Sequence, residues 1–325
     1  MKSVYITGIA LAFAGMVHGQ SQRLVLSEAF SNASCGPCAS QNPGYNTLLG
    51  NNTTKVVKVK YQTNWPGTDP MNAQNPTDVA SRVSYYQVNG VPWGCLDGTP
   101  FTGGSYTGAL ANLNQTTIDN RYAVDSPFDL QVSHSLSTGL DSTYITVDLT
   151  ASQALDIGNE TMKLHVLLVE KEINFTAPPG ANGETSFESV MRKMYPDGNG
   201  TTIASAWTNT QNQSWNFDVA IPSYVYDLFE VAILVFVQNN NTKEVYQAGI
   251  SQPLPVSNYG KVNTVSSGLT GINCQGDLNN ATATIENLGD NAMTSADIYY
   301  QVDNGTPMSL PWTGNLATGA TDNVN

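Results

Sequence analysis

RLVLSEAFSNASCGPCAS, residues 23–40, runs from an apolar segment straight into two cysteines separated by Gly36-Pro37. Arg23 to Phe30 reads as a strand. The residues after Cys38 have helical character that Pro43-Gly44 should kink or interrupt. Three chemistries compete for the pair. A zinc site needs four Cys or His ligands, commonly as two close pairs. The other cysteines, Cys95 and Cys274, are isolated, and beyond residue 19 the only histidines are His134 and His165. No metal and no cofactor is expected. A staple between Cys35 and Cys38 would close a very short loop and stabilise the fold little, yet an exported protein can hold any close pair oxidised. The redox reading has a mechanism. A cysteine at the first turn of a helix faces unpaired backbone N–H groups, which favour thiolate over thiol. Cys35 would be the exposed nucleophile, and Cys38, one turn further in, could attack the mixed disulfide that Cys35 forms. Gly36 permits close approach of a substrate backbone, and Pro37 suits a first helical turn because it needs no N–H donor.

Outward from the pair, KVVKVKYQTN (55–64) is strand-like, WPGTDPMNAQNP is a loop, and TDVASRVSYYQV (77–88) reads as a helix capped by Thr77 or Asp78. VPWGCLDG ends in an Asp97-Gly98 turn, TPFTGG supplies a returning strand, and SYTGALANLNQTTIDNRYAV closes the segment as a helix. The order β-α-β-α-β-β-α gives an α/β domain at 20–124. After Asp125-Ser126-Pro127 the pattern changes to strands separated by turns, including the near-continuous apolar run FEVAILVFVQ at 229–238. About seven strands predict an all-β sandwich at 125–253, with FESVMRKMYPDGNG as a helical turn or loop crossing. Leu254 to Asn258 reads as a linker. Residues 258–325 hold three or four strands, with Asn304-Gly305 as a hairpin turn. That is too few to close an Ig-like sandwich, so this domain is expected to be incomplete and the gene product to continue beyond Asn325.

The compartment is set by MKSVYITGIALAFAGMVHG, residues 1–19. Lys2 precedes a short apolar run, and Val17-His18-Gly19 resembles a small-residue cleavage site, as in a secretory leader. The run is too short for a transmembrane helix, and no later run is long enough to span a bilayer. The chain carries 13 Lys+Arg against 26 Asp+Glu, a net charge of −13, and loss of the leader removes one more base. Such a surface repels phosphate backbones, so nucleic acid is not expected as a partner.

CGPC after a strand, followed by β-α-β-β-α and by Val91-Pro92 ahead of a strand, resembles the thioredoxin fold over about residues 23–123. The resemblance implies a cis proline at Pro92 that, with Val91, helps hold a substrate chain. It likewise implies Cys35 as nucleophile and Cys38 as resolving cysteine. Two positions depart from the family. Ser34 stands where an aromatic residue is usual, and Ala29 where a buried acid lies six residues before the nucleophile. Glu28 is adjacent, but strand alternation points it to the other face. The whole chain resembles exported bacterial proteins related to the outer-membrane protein called Omp twenty-eight, through HVLLVEKEINF, VMRKMYP and AILVFVQNNNTKEVYQAGIS. Such proteins are often cargo of the type IX secretion route, which implies a periplasmic, outer-membrane-surface or extracellular location.

Other motifs are weak. Cys95, three residues after Pro92, should face away from it as a small core residue, with pairing to Cys274 left open. PDGNGTT (196–202) reads as an ordinary turn, and TGGSYTG (102–108) lacks the Lys-Ser/Thr of a phosphate loop. Two functions stand. One is a protein thiol–disulfide oxidoreductase acting through Cys35 and Cys38 on protein thiols or disulfides. The alternative is a cell-surface binding or adhesion protein that uses the same domains as scaffold for a surface ligand. The intact CGPC and Val91-Pro92 favour the first, while Ser34, Ala29 and the attached sandwiches favour the second.

Overall fold

Every residue of β1 (Val25–Ser31) is buried, because the strand lies inside a sheet with both faces covered. It organises a computed structural model that describes residues 21–325 apart from 138, 255–257, 267–280 and 302–304. The expected leader at 1–19, Cys274 and Asn304 of the expected hairpin turn lie outside the described residues. The chain divides into two compact units, the first ending at Gln252 and the second spanning Pro253–Asn325.

After β1 come α1 (Gly36–Gly50), β2 (Val56–Gln62), α2 (Pro70–Gln74), α3 (Pro76–Tyr86), β3 (Trp93–Leu96), β4 (Thr99–Pro100) and α4 (Gln115–Tyr122). β2 runs parallel to β1, β3 antiparallel to it, and β4 antiparallel to β3. Helix α1 continues through Pro43. Beyond the proline, Tyr45 and Leu49 still pack on Val25, Val56 and Leu96, and that burial outweighs one missing backbone hydrogen bond. The expected loop 65–76 contains α2, because Asp69 Oδ1 accepts from the amides of Met71 and Asn72 at 2.9 and 3.0 Å. The cap of α3 is Asn75, not Thr77 or Asp78. The last helix of this segment starts only at Gln115, where Asn114 accepts from Thr117 N at 3.0 Å.

The remaining strands of the first unit are β5 (Phe128–Leu136), β6 (Ser142–Ala151), β7 (Leu155–Asp156), β8 (Met162–Asn174), β9 (Ser186–Tyr195), β10 (Thr201–Ile203), β11 (Ala206–Trp207), β12 (Asn212–Ala220), β13 (Val231–Asn239) and β14 (Val245–Ile250). A nine-stranded sheet runs in the order β14-β13-β8-β9-β2-β1-β3-β4, with β10 on β8. Its join is the parallel pairing of β2 with β9 at Lys60↔Val190. One sheet thus crosses the boundary expected at 124/125. A second layer, β12-β6-β5, packs Leu130, Ile145 and Val147 against Val166, Ile233 and Val235. The opposite faces of β8 and β13 bury Leu167, Leu234 and Phe236 with Leu26 and Phe30 of β1 and Val79 and Tyr86 of α3. Burial on both faces explains why 229–238 reads as a near-continuous apolar run.

Strand β9 replaces the helical turn or loop crossing expected at FESVMRKMYP. The β8–β9 register shifts between Leu168 and Val169, and Ser189 sits at φ 53°. This irregularity and burial on both faces erase the two-residue alternation by which a strand is recognised.

The Asp97-Gly98 turn ties early and late segments together. Asp97 Oδ1 accepts from Leu26 N at 2.7 Å, while Oδ2 meets Arg121 Nε at 2.6 Å and Arg23 Nη1 at 3.3 Å. Gly98 has φ 83°, and a Cβ there would lie 1.9 Å from the Lys243 carbonyl oxygen. Gly98→Ala should therefore cost about 2 kcal/mol in urea unfolding, from positive φ and backbone collision together. A loss below about 0.5 kcal/mol would show that the turn relaxes freely.

In the second unit β15 (Gly260–Ser266), β16 (Thr282–Asn287) and β19 (Thr321–Val324) form one sheet, and β17 (Met293–Tyr300) with β18 (Met308–Leu316) a second. Ile285, Trp312, Leu316 and Val324 make a small core.

Candidate functional site

The turn from β1 into α1 is built by two side chains. Asn32 Nδ2 donates to the carbonyls of Thr63 and Gly67 at 2.7 and 3.0 Å, and its Oδ1 accepts from Ser34 N at 2.7 Å. Asp69, the cap of α2, accepts from Ala33 N at 2.8 Å. Cys35 is thereby fixed as the N-cap of α1, and its Sγ accepts from Cys38 N at 3.1 Å. The two cysteines form a disulfide, with Cα atoms 5.2 Å apart. Gly36 and Pro37 form the exposed outer edge of this turn.

Val91-Pro92 is a cis peptide. The Val91 carbonyl oxygen lies 3.5 Å from Cys35 Sγ, and Tyr106 Oη donates to the Pro92 carbonyl at 2.7 Å. Cys35, Cys38, Gly36, Pro37, Val91 and Pro92 therefore converge on one place, although fifty residues separate the two segments. The sulfurs are not open to solvent: Cys35 is 1% exposed and Cys38 0%.

Beneath α1 the strand pair brings Lys60 opposite Ala29. Lys60 is buried, its Nζ donates to Asn42 Oδ1 at 3.1 Å, and it lies over the Tyr45 ring. Burial pushes its pKa down to about 7, with Lys58 adding to the fall and Glu184 and Glu188 opposing it. Asn42 is one helical turn beyond Cys38 on α1. A titratable base thus lies next to Ala29, where the acid usual in the resembled family is missing.

Glu28 lies on the other face of β1. Its carboxylate takes Arg82 Nη2 at 2.6 Å and Tyr61 Oη at 2.9 Å, with Tyr86 Oη also bonded. Cys95 joins this side as a buried free thiol. Burial, with Glu28 adding to it, raises its pKa well above the usual value, which keeps it protonated and unreactive.

Residues far along the chain complete the site, and local sequence held no signal for them. Between β8 and β9, Asn182 Nδ2 donates to the carbonyls of Asn32 and Cys35 at 3.2 and 3.3 Å. Glu184 Oε1 accepts from Asn42 Nδ2 at 2.7 Å. Ser34, noted only as departing from an aromatic, donates to the Thr68 carbonyl and accepts from Ala181 N at 3.0 Å.

No protein-family model and no curated protein matches the chain. Among solved structures, HBP35 of Porphyromonas gingivalis superposes with a TM-score of 0.56 at 13% identity, covering 94% of this chain and 98% of that one. At that identity the likeness is one of fold. A protein from Agrobacterium tumefaciens matches 74% of this chain and 98% of its own at 16% identity, with a TM-score of 0.43. A domain of the outer membrane lipoprotein Omp28 from Porphyromonas gingivalis matches 39% of this chain and 88% of its own at 16% identity, with a TM-score of 0.25. Among the described residues no helix is long and apolar enough to cross a membrane.

Proposed function

We propose that the chain is an exported thioredoxin-like protein whose Cys35–Cys38 pair exchanges disulfides with protein partners. The observation that carries this reading is a disulfide seated at the first turn of α1, with Cys35 Sγ 3.5 Å from the Val91 carbonyl oxygen. A helix N-terminus stabilises the thiolate that Cys35 becomes on reduction. In the reducing direction, that thiolate attacks one sulfur of a partner disulfide. The partner S–S bond breaks, and its second sulfur leaves as a thiolate. Cys38 then attacks Cys35 Sγ, the mixed disulfide breaks, and the Cys35–Cys38 bond re-forms. The partner gains two electrons and its thiolates take protons from water; oxidation of a partner dithiol is the same sequence reversed. Val91-Pro92 and Gly36-Pro37 would line the groove for the partner's chain. The leader-like residues 1–19 support export, to the periplasm, the outer-membrane surface or the extracellular space.

The second reading, a surface scaffold with the disulfide as a staple, is favoured by the burial of both sulfurs. One experiment separates the two. In the oxidoreductase, Cys35 titrates well below the roughly 8.5 of a free cysteine, and Cys35→Ser abolishes reduction of a disulfide substrate by the pre-reduced protein. Cys38→Ser accumulates a mixed disulfide with a partner from the cell envelope. If Cys35 titrates as a free thiol and Cys38→Ser traps nothing, the scaffold reading replaces this one.

A further inference from the structure

The loop 175–185 leaves the sheet after β8, crosses to the N-terminus of α1 and returns as β9. Its base is closed by Phe175 N donating to the Thr185 carbonyl at 2.8 Å, and Phe175 packs edge-on against Phe187 and Tyr226. Its tip does not project into solvent as a long hairpin loop ordinarily does. Ala181 N donates to Ser34 Oγ at 3.0 Å and Asn182 N to the Ala33 carbonyl at 3.1 Å. The Asn182 amide holds the carbonyls of Asn32 and Cys35, and Glu184 bridges Asn182 Nδ2 at 2.6 Å to Asn42 Nδ2 at 2.7 Å. Gly180 lets the two backbones meet, since a Cβ there would lie 2.3 Å from the Ala33 carbonyl oxygen. Cys35 is thus closed in by Val91 at its sulfur and by Asn182 at its carbonyl, which agrees with its 1% exposure.

The geometry points to the 175–185 loop as a strap that controls which partners reach the Cys35–Cys38 disulfide, with Gly180, Asn182 and Glu184 seating it and Ser34 receiving it. This rests on the disulfide-exchange reading of the same pair. On this reading the strap slows every thiolate that approaches Cys35 along the S–S axis, small reductants included, and a bulky folded surface most. The partner that fits is therefore an extended or locally unfolded chain carrying a cysteine, thin enough to enter beside Val91. Position 34 follows from this: the place of an aromatic is taken by a hydroxyl that both accepts from the strap and donates to the Thr68 carbonyl. Lifting the strap also withdraws Glu184 from Asn42, the residue that holds Lys60 Nζ, so opening the site changes the charge around Lys60.

The test uses the oxidised full chain and dithiothreitol as reductant, with free thiols counted over time by maleimide labelling. Gly180→Ala unseats the strap by one methyl group, and Asn182→Ala removes the side-chain hydrogen bonds to the Asn32 and Cys35 carbonyls; neither alters a cysteine. Each is expected to speed reduction about tenfold or more while far-UV circular dichroism and the melting temperature stay near wild type, as for an opening that does not unfold the core. Pro178→Ala, at an exposed strap position, should leave the rate unchanged. Rates equal to wild type in both seating variants would overturn the strap. If those variants misfold, amide exchange in the wild-type protein decides. Ala181 and Asn182 should be protected in the oxidised state and lose that protection in Ser34→Ala; amides that exchange freely in the wild type would overturn it as well. Failure of Cys38→Ser to trap a partner would remove the exchange function and leave these rates as they are, so the two outcomes are distinguishable.

Discussion

Arg82→Met will destabilise the protein by about 3–5 kcal/mol, the loss expected when one member of a buried ion pair is removed. Arg82 is 1% exposed and Glu28 0%. The guanidinium reaches Glu28 Oε1 at 2.6 Å and Gln238 Oε1 at 3.2 Å, and it packs between Tyr85, Tyr86 and Phe236. Methionine keeps much of the apolar stem's packing, so the loss reports the stranded carboxylate rather than a cavity. Two tyrosine hydroxyls would still bond Glu28, but neither supplies a compensating charge. Adding Glu28→Gln to Arg82→Met should recover part of the stability, because an amide is far cheaper to bury than a carboxylate. Urea unfolding of the single and double variants checks both statements. A loss below about 1 kcal/mol for Arg82→Met would mean that the pair is dispensable.

The second large effect is a dependence on pH. Lys60 is buried with a pKa pushed down to about 7, against about 10.4 in an unfolded chain. Below pH 7 both states bind the proton, and folding carries the full cost of a buried ammonium. Between about pH 7 and 10.4 only the unfolded state binds it, so this group's contribution to stability rises with pH by about 1.4 kcal/mol per unit. Lys60→Met removes that term while leaving Asn42 Oδ1 without its donor. The stability difference, wild type minus Lys60→Met, should therefore shift in favour of the wild type by about 2 kcal/mol between pH 7 and pH 9. Comparing the two proteins cancels other groups that titrate in this window. A difference that stays constant across the window would show that Lys60 keeps an ordinary pKa.

Both effects arise at residues whose environment is assembled over long sequence separations. Glu28 is an acid in an apolar strand, and alternation already points it away from the cysteine pair. Its counter-ion Arg82 comes from α3, and Gln238, which accepts from that guanidinium, comes from β13; no local pattern links them. Lys60 sits in KVVKVKYQ as one lysine of an alternating strand that could face solvent on one side. It is buried because β2 is central, flanked by β1 and β9. The pairing with β9 comes from a segment 130 residues later, one read as a helical turn or loop crossing.

Short-range rules acted through the residues near the cysteines. The strand from Arg23 to Phe30, a helix opening at Gly36-Pro37 and the tight turn at Asp97-Gly98 are each dictated by neighbours within a few positions. Proline fixes φ, glycine permits positive φ, and apolar alternation marks a half-buried strand. What the tertiary structure decided is the closing of the site and the unity of the sheet. The seats of the strap at Ala33, Ser34 and Asn42 are backbone and side-chain groups that any loop with a suitable amide could engage. Sequence names the donor and acceptor but not which distant partner will meet it. In the same way β8, β9 and β13 are largely buried on both faces, so no two-residue alternation in their composition selects a neighbour. Only the folded chain, by pairing Lys60 with Val190 and covering both faces at once, decides that the two halves share one sheet.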